Sequence, residues 1–235
     1  MRATVCLPTY NELQNIEPML RALGGVLRPG DRVLVIDDNS PDGTGAEADR
    51  LAAELDFVDV LHRERKEGLG PAYLAGFRVA LADGAELVLE IDCDFSHSPT
   101  DVPRLIEEAE GGADLVLGSR YVRGGGVRNW GLVRRVISRG ASFYTGLFLH
   151  MRVSDPTGGF KCFRRRVLET IDLDAVAAGG YVFQIEMTYR AKRAGFRVVE
   201  VPITFADREV GRSKMSRAIV LEALWRVPLL RLRVR

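Results

Sequence analysis

The chain reads as an α/β protein with a mostly parallel central sheet flanked by helices. Three observations predict this. Apolar runs at 4–7, 32–36, 58–61, 86–91 and 114–117 have the length and Val, Ile and Leu content of buried strands. Helical-period segments near 12–27, 43–55, 69–82 and 100–110 separate them, as crossovers between parallel strands require. With 235 residues, 46% of them apolar, the chain can bury one full core.

Taken in order, the first strand ends at Pro8, Thr9, Tyr10, Asn11 and Glu12, and the second at Asp37, Asp38, Asn39, Ser40, Pro41, Asp42 and Gly43. In an open parallel sheet these strand ends line one crevice. The strand 86–91 runs straight into Asp92–Cys93–Asp94, two carboxylates two residues apart and therefore on one side of an extended chain. Such a pair can hold a hard divalent cation, Mg²⁺ or Mn²⁺, and through it substrate phosphates; it can equally cap the turn at Ser96, His97, Ser98 and Pro99 before a helix beginning near Thr100. His97 reads as a turn histidine. The second half is less regular. Gly124, Gly125 and Gly126 open it, followed by a long amphipathic segment over 131–151, a strand at 159–163, a helix at 181–194 and a strand at 197–202. Residues 1–217 are expected to form one domain, and 218–235 a basic amphipathic segment broken by Pro228 that could rest on anionic lipid.

Composition narrows the function. Cys6, Cys93 and Cys162 are odd in number and lack a CxxC pair, so they read as buried reduced thiols. No secretory signal precedes the first strand and no run of about eighteen apolar residues spans a bilayer, which predicts a cytosolic or peripheral protein. Net charge is only +1, but between Ser119 and Leu168 eleven bases face a single acid, Asp155. That block wants an anionic partner. No nucleic-acid recognition signature accompanies it, so a phosphate of another kind is expected. The dinucleotide fingerprint and the Walker A lysine loop are both missing, which argues against a nicotinamide oxidoreductase and a P-loop phosphotransferase.

Together these residues resemble the GT-A fold nucleotide-diphospho-sugar transferases, and within family 2 the polyprenol (dolichol) phosphate mannose synthases. The carriers are Leu7–Pro8–Thr9–Tyr10–Asn11–Glu12, Ile36–Asp37–Asp38–Asn39–Ser40–Pro41–Asp42–Gly43–Thr44, Asp92–Cys93–Asp94–Phe95–Ser96–His97–Ser98–Pro99, Gly118–Ser119–Arg120–Tyr121, Arg134–Arg135–Val136–Ile137–Ser138–Arg139–Gly140, Asp155–Pro156–Thr157–Gly158–Gly159–Phe160 and Gly211–Arg212–Ser213–Lys214. The first three runs occur broadly in sugar-nucleotide transferases; the segments at 134–140 and 155–160 are more specific to the lipid-phosphate branch.

The resemblance implies inverting transfer of mannose from GDP-mannose to a polyprenyl monophosphate at the cytosolic face of a membrane. Pro8, Tyr10, Glu12, Ile36 and Asp38 would hold the guanosine; Asp92, Cys93 and Asp94 would meet the diphosphate and metal, with Ser96 near the metal as a weak oxygen ligand; Arg208 and Lys214 would close over the nucleotide. Arg134 and Ser138 stand four apart on one helix and with Arg120 would form the acceptor-phosphate pocket. Asp92, Asp94 and Arg120 would be the catalytic set. Leu132, Val133, Val136, Ile137, Phe143, Tyr144, Leu147 and Phe148 of that helix are expected mainly in the core, with a membrane-facing role as the alternative. Some relatives carry transmembrane helices and others borrow them, so a separate membrane-anchoring subunit is a possible partner. The alternatives are a polyprenyl-phosphate glucosyltransferase using UDP-glucose and a non-catalytic lipid-phosphate binding module of the same fold.

Overall fold

In the computed structural model, which describes residues 1–176, 180–207 and 217–234, the elements in chain order are β1 (Ala3–Thr9), α1 (Ile16–Gly24), β2 (Arg32–Asp37), α2 (Thr44–Glu54), β3 (Val58–His62), α3 (Leu69–Ala82), β4 (Leu87–Glu90), a 3₁₀ turn at Pro99–Asp101, α4 (Val102–Glu110), β5 (Leu115–Ser119), β6 (Gly126–Val127), α5 (Leu132–Leu149), β7 (Lys161–Arg164), α6 (Arg165–Thr170), α7 (Gly180–Arg193), β8 (Val198–Pro202), β9 (Thr204–Phe205) and α8 (Arg217–Arg233). The seven-stranded sheet has the order β3-β2-β1-β4-β7-β5-β8. Every pairing in it is parallel except those of β7, which is inserted antiparallel between β4 and β5. The expected α/β class and most of its elements are found; α6 and the two-stranded β6–β9 ribbon were not foreseen, being too short to show a period.

Alternation along the strands builds a core on each face. Val5, Leu7, Val33 and Val35 pack with Met19, Leu20, Leu51, Leu105 and Ile106 of α1, α2 and α4. Cys6, Leu34, Ile36 and Val88 pack with Tyr73 and Phe77 of α3, Phe163 of β7 and Phe183 and Met187 of α7. Gly76 lets α3 approach the sheet: a Cβ there would run into Ile36 Cδ1 and lie 3.2 Å from Cys6 Sγ. The three cysteines are buried and free, as expected.

Gly76→Val is expected to lower stability by about 1–3 kcal/mol through overpacking, read as a shifted urea midpoint with native far-ultraviolet circular dichroism retained.

Candidate active site

β1 has β2 on one side and β4 on the other. The carboxyl ends of these strands therefore open into the crevice that an α/β sheet forms where strand order reverses. The three loops leaving them each place one residue in left-handed backbone: Asn11 (φ 59°), Asn39 (φ 57°) and Phe95 (φ 56°). Asparagine tolerates that conformation but phenylalanine does not, so strain is held immediately beside Asp94.

The first two loops are stitched together. The backbone amides of Asn11, Glu12 and Leu13 donate to Ser40 Oγ (3.1 Å), Thr44 Oγ1 (3.0 Å) and Asp42 Oδ2 (3.2 Å). Pro8, Tyr10, Glu12 and Asp38 stand at these strand ends, whereas the Ile36 side chain is fully buried in the core. Two cations unforeseen in the sequence belong here. Lys66 Nζ sits 3.7 Å above the Tyr10 ring. Arg63 pairs with the buried Asp38; burial, the largest influence, nevertheless raises the Asp38 carboxyl above its ordinary range. Both follow β3 in a run that matches no motif. Arg208 and Lys214 lie outside the described residues.

At the end of β4, Asp92 is partly exposed and Asp94 buried. Tyr73 OH donates to Asp92 Oδ1 at 3.4 Å, and the Ser96 amide to Asp94 Oδ1 at 3.0 Å. Cys93 packs among the core residues on α1 and α4, and burial pushes its thiol well above the ordinary range, leaving it inert. The Ser96 hydroxyl is buried with no hydrogen-bond partner among the described residues. Among those residues no group of three His, Cys, Asp or Glu forms a complete metal cage. Two carboxylates and an unsatisfied hydroxyl nevertheless suit a hard divalent cation that takes its other ligands from water and substrate phosphate.

His97 stands in the turn, as the sequence suggests, and is buried there. It is buried between Phe160 (ring centroids 5.2 Å) and Phe205 (5.0 Å, edge-on), and burial and then the charge of Arg120 push its pKa down to about 4. Phe205 in turn meets Trp130 edge-on at 5.3 Å. This row of rings joins the acidic strand end to a cationic wall. Arg134 Cζ lies 4.0 Å and Arg120 Cζ 5.5 Å from the Trp130 ring centre. Arg120 is buried, its Nε and Nη2 donating to the two Asp155 oxygens at 2.6 Å each and Nη2 also to Thr157 Oγ1 at 2.9 Å. Burial is the strongest single influence on Asp155 and opposes ionisation, but Arg120 and Thr157 together outweigh it and hold the carboxyl below its ordinary range. Arg134 Nη1 donates to Asp207 at 2.7 Å, and Ser138 Oγ accepts from Tyr121 OH at 2.6 Å. Arg120, Arg134 and Ser138 are thus gathered at one wall. Tyr121 belongs to the run 118–121 already singled out, whereas no residue spacing announces Trp130 or Asp207.

The helix carrying Arg134 reverses the expected packing. Ser138, Ser142, Thr145 and Leu149 face inward, while Leu132 (78% exposed), Val133, Val136, Phe143 (75%) and Leu147 face outward, with Ile137 and Phe148 less so. The core expectation holds for Tyr144, which packs against the core, and fails for the others, because small polar residues supply the close contact.

A model described as glycosyl transferase family 2 matches residues 4–172. A polyprenol monophosphomannose synthase of Mycolicibacterium smegmatis is 50% identical over 96% of this chain and 85% of its own length. An undecaprenyl-phosphate mannosyltransferase of Micrococcus luteus is 49% identical over 95% and 91%. A dolichol-phosphate mannosyltransferase of Pyrococcus furiosus is 35% identical over 95% of this chain and 62% of its own. Among solved structures, a Mycobacterium tuberculosis glucosyl-3-phosphoglycerate synthase with Mn²⁺, UDP-glucose and phosphoglyceric acid shares the fold at a TM-score of 0.67 and 22% identity, over 97% of this chain and 79% of that one. A Pyrobaculum calidifontis mannosyltransferase in complex with GDP-mannose and Mn²⁺ does so at 0.63 and 21%, over 90% and 58%.

Asp155→Asn strands the buried Arg120 guanidinium and is expected to cost about 3–5 kcal/mol at pH 7. Because the folded carboxyl titrates below its unfolded value, its stabilising contribution is complete above the ordinary carboxylate range and is lost as pH falls through the folded pKa. Urea unfolding of the two proteins should therefore differ strongly at pH 7 and converge toward strongly acidic pH.

Proposed function

Because the chain belongs to glycosyl transferase family 2 and carries its fold, we propose that it transfers mannose from GDP-mannose to a polyprenyl monophosphate, with inversion, giving polyprenyl-phosphate mannose and GDP. One observation carries this reading: at a single sheet edge, aromatic rings join the Asp92–Asp94 strand end to the wall built from Arg120, Trp130 and Arg134. That arrangement suits a donor diphosphate on the acidic side and an anionic acceptor on the basic side.

On the donor side, Pro8, Tyr10, Glu12 and Asp38 frame the guanosine, and Arg208 and Lys214, outside the described residues, are further basic candidates for the nucleotide. Asp92 and Asp94, with Ser96, would hold Mg²⁺ or Mn²⁺. Such an ion, when bound, neutralises charge developing on the departing diphosphate. On the acceptor side Arg134 and Ser138 orient the phosphate. Arg120 is locked by Asp155 and contributes a fixed, already paired guanidinium to the wall. A phosphate monoester is largely ionised near neutrality, so the acceptor needs positioning rather than a general base. His97, neutral at pH 7 with a pKa of about 4, fills space in the wall and adds no charge.

No helix among the described residues is long and apolar enough to cross a membrane. The outward face of α5 instead offers a surface that rests on the cytosolic leaflet and admits the polyprenyl chain beside Arg134. Trp225 and Leu232 of α8 are also exposed and extend that contact. A membrane-anchoring subunit would dock on the same surface.

Label from GDP-[¹⁴C]mannose should enter organic-extractable polyprenyl phosphate with Mn²⁺ or Mg²⁺ and not with EDTA, and UDP-glucose should give none. Asp94→Ala is expected to lower turnover by at least about 100-fold with the fold intact; unchanged turnover would discard the metal assignment. Arg134→Ala should raise KM for the acceptor about tenfold while sparing the donor. The triple variant Val133→Glu, Val136→Glu and Phe143→Glu should lose co-sedimentation with anionic vesicles and keep GDP-mannose binding.

A further inference from the structure

Next to Asp92 lies a buried polar assembly drawn from four elements. Tyr73 of α3 is fully buried, and its hydroxyl donates to Asp92 Oδ1 at 3.4 Å. Its ring lies parallel to that of Phe183 on α7, with centroids 6.1 Å apart and 4° between planes. The residue after Phe183, Gln184, accepts Lys161 Nζ on its backbone carbonyl at 2.6 Å. Lys161 is itself fully buried, and stands opposite the fully buried Glu90 across the antiparallel β4–β7 pair. The Glu90 carboxylate meets the charge of Lys161 and the side chain of Gln184. Gly159 leaves the ground between Gln184 and Asp92 open: a Cβ there would lie 3.4 Å from Gln184 Nε2 and 4.0 Å from Asp92 Oδ2.

A buried lysine and glutamate are a poor way to stabilise a sheet, since an apolar pair of similar volume does as well or better. Their placement acts instead on α7. The lysine tethers the backbone of that helix beside Phe183, Phe183 supports the Tyr73 ring, and Tyr73 holds the carboxylate. We propose that Tyr73 is a positioning residue for Asp92, and that Lys161 acts on Asp92 through Tyr73 by keeping α7 seated against it. Groups behind a ligating carboxylate set its orientation, and losing one commonly weakens metal binding by an order of magnitude or more. This inference rests on the reading of Asp92 as a ligand of a divalent cation.

The test is Mn²⁺ binding in the presence of GDP, followed by the electron paramagnetic resonance of free Mn²⁺, alongside thermal unfolding. Tyr73→Phe removes the hydroxyl and keeps the ring stack, so it should weaken Mn²⁺ binding about tenfold with Tm unchanged; a merely structural tyrosine would leave the affinity where it was. Lys161→Met alone should weaken binding to a similar extent and also lower Tm. In the Tyr73→Phe background it should weaken binding no further. Unchanged Mn²⁺ affinity in Tyr73→Phe, or fully additive losses in the double variant, would overturn the inference and leave Asp92 as a ligand. Failure of the unaltered protein to bind Mn²⁺ would overturn both.

Discussion

The Arg120–Asp155 pair is the constraint around which the two halves of the molecule are arranged. Arg120 follows β5 and Asp155 precedes β7, so their two-pronged bond fixes the approach to both strands. The loop holding Asp155 is itself gripped from β8, where Glu200 accepts the backbone amides of Ser154 and Asp155 at 2.8 and 3.0 Å. A charge buried in this way is stable only while every partner is present. The geometry of the basic wall is therefore over-determined, and Trp130, Arg134 and Phe205 are assembled against a rigid guanidinium.

Inserting β7 antiparallel between β4 and β5 has a second consequence. It places Phe160 against His97, on the acidic side, while the same loop delivers Asp155 to Arg120, on the basic side. The acidic and basic sides of the crevice are thus tied by one short segment, 155–163, rather than by two separately folded parts. The tight approach of backbone at Gly118, where a Cβ would lie 2.8 Å from Phe160 Cδ1, belongs to the same junction.

The surface beside that junction inverts the usual division of polarity. On α5 the hydroxyls of Ser138, Ser142 and Thr145 lie inward and Leu132, Val133, Val136 and Phe143 outward. A helix in water gains by burying its apolar stripe. On α5 the stripe lies outward instead, beside the cationic wall of Arg120 and Arg134.

Strand and helix periods, the Asp92–Asp94 pair and the basic block were legible from the residues alone, because each is a local pattern: alternation, spacing by two, charge per segment. Those patterns determined the parallel α/β class, the crevice at the ends of β1, β2 and β4, and the demand for phosphate partners. What the tertiary structure decided is who pairs with whom. Asp155, the lone acid of a basic stretch, closes on Arg120, 35 residues away; His97, in its turn, is buried by two phenylalanines; on α5 small hydroxyl residues take the inward face and most of the apolar ones stay outside. Burial and partnership depend on contacts between segments distant in sequence, and hydrophobicity tells that a residue must leave water without telling whether protein or membrane receives it.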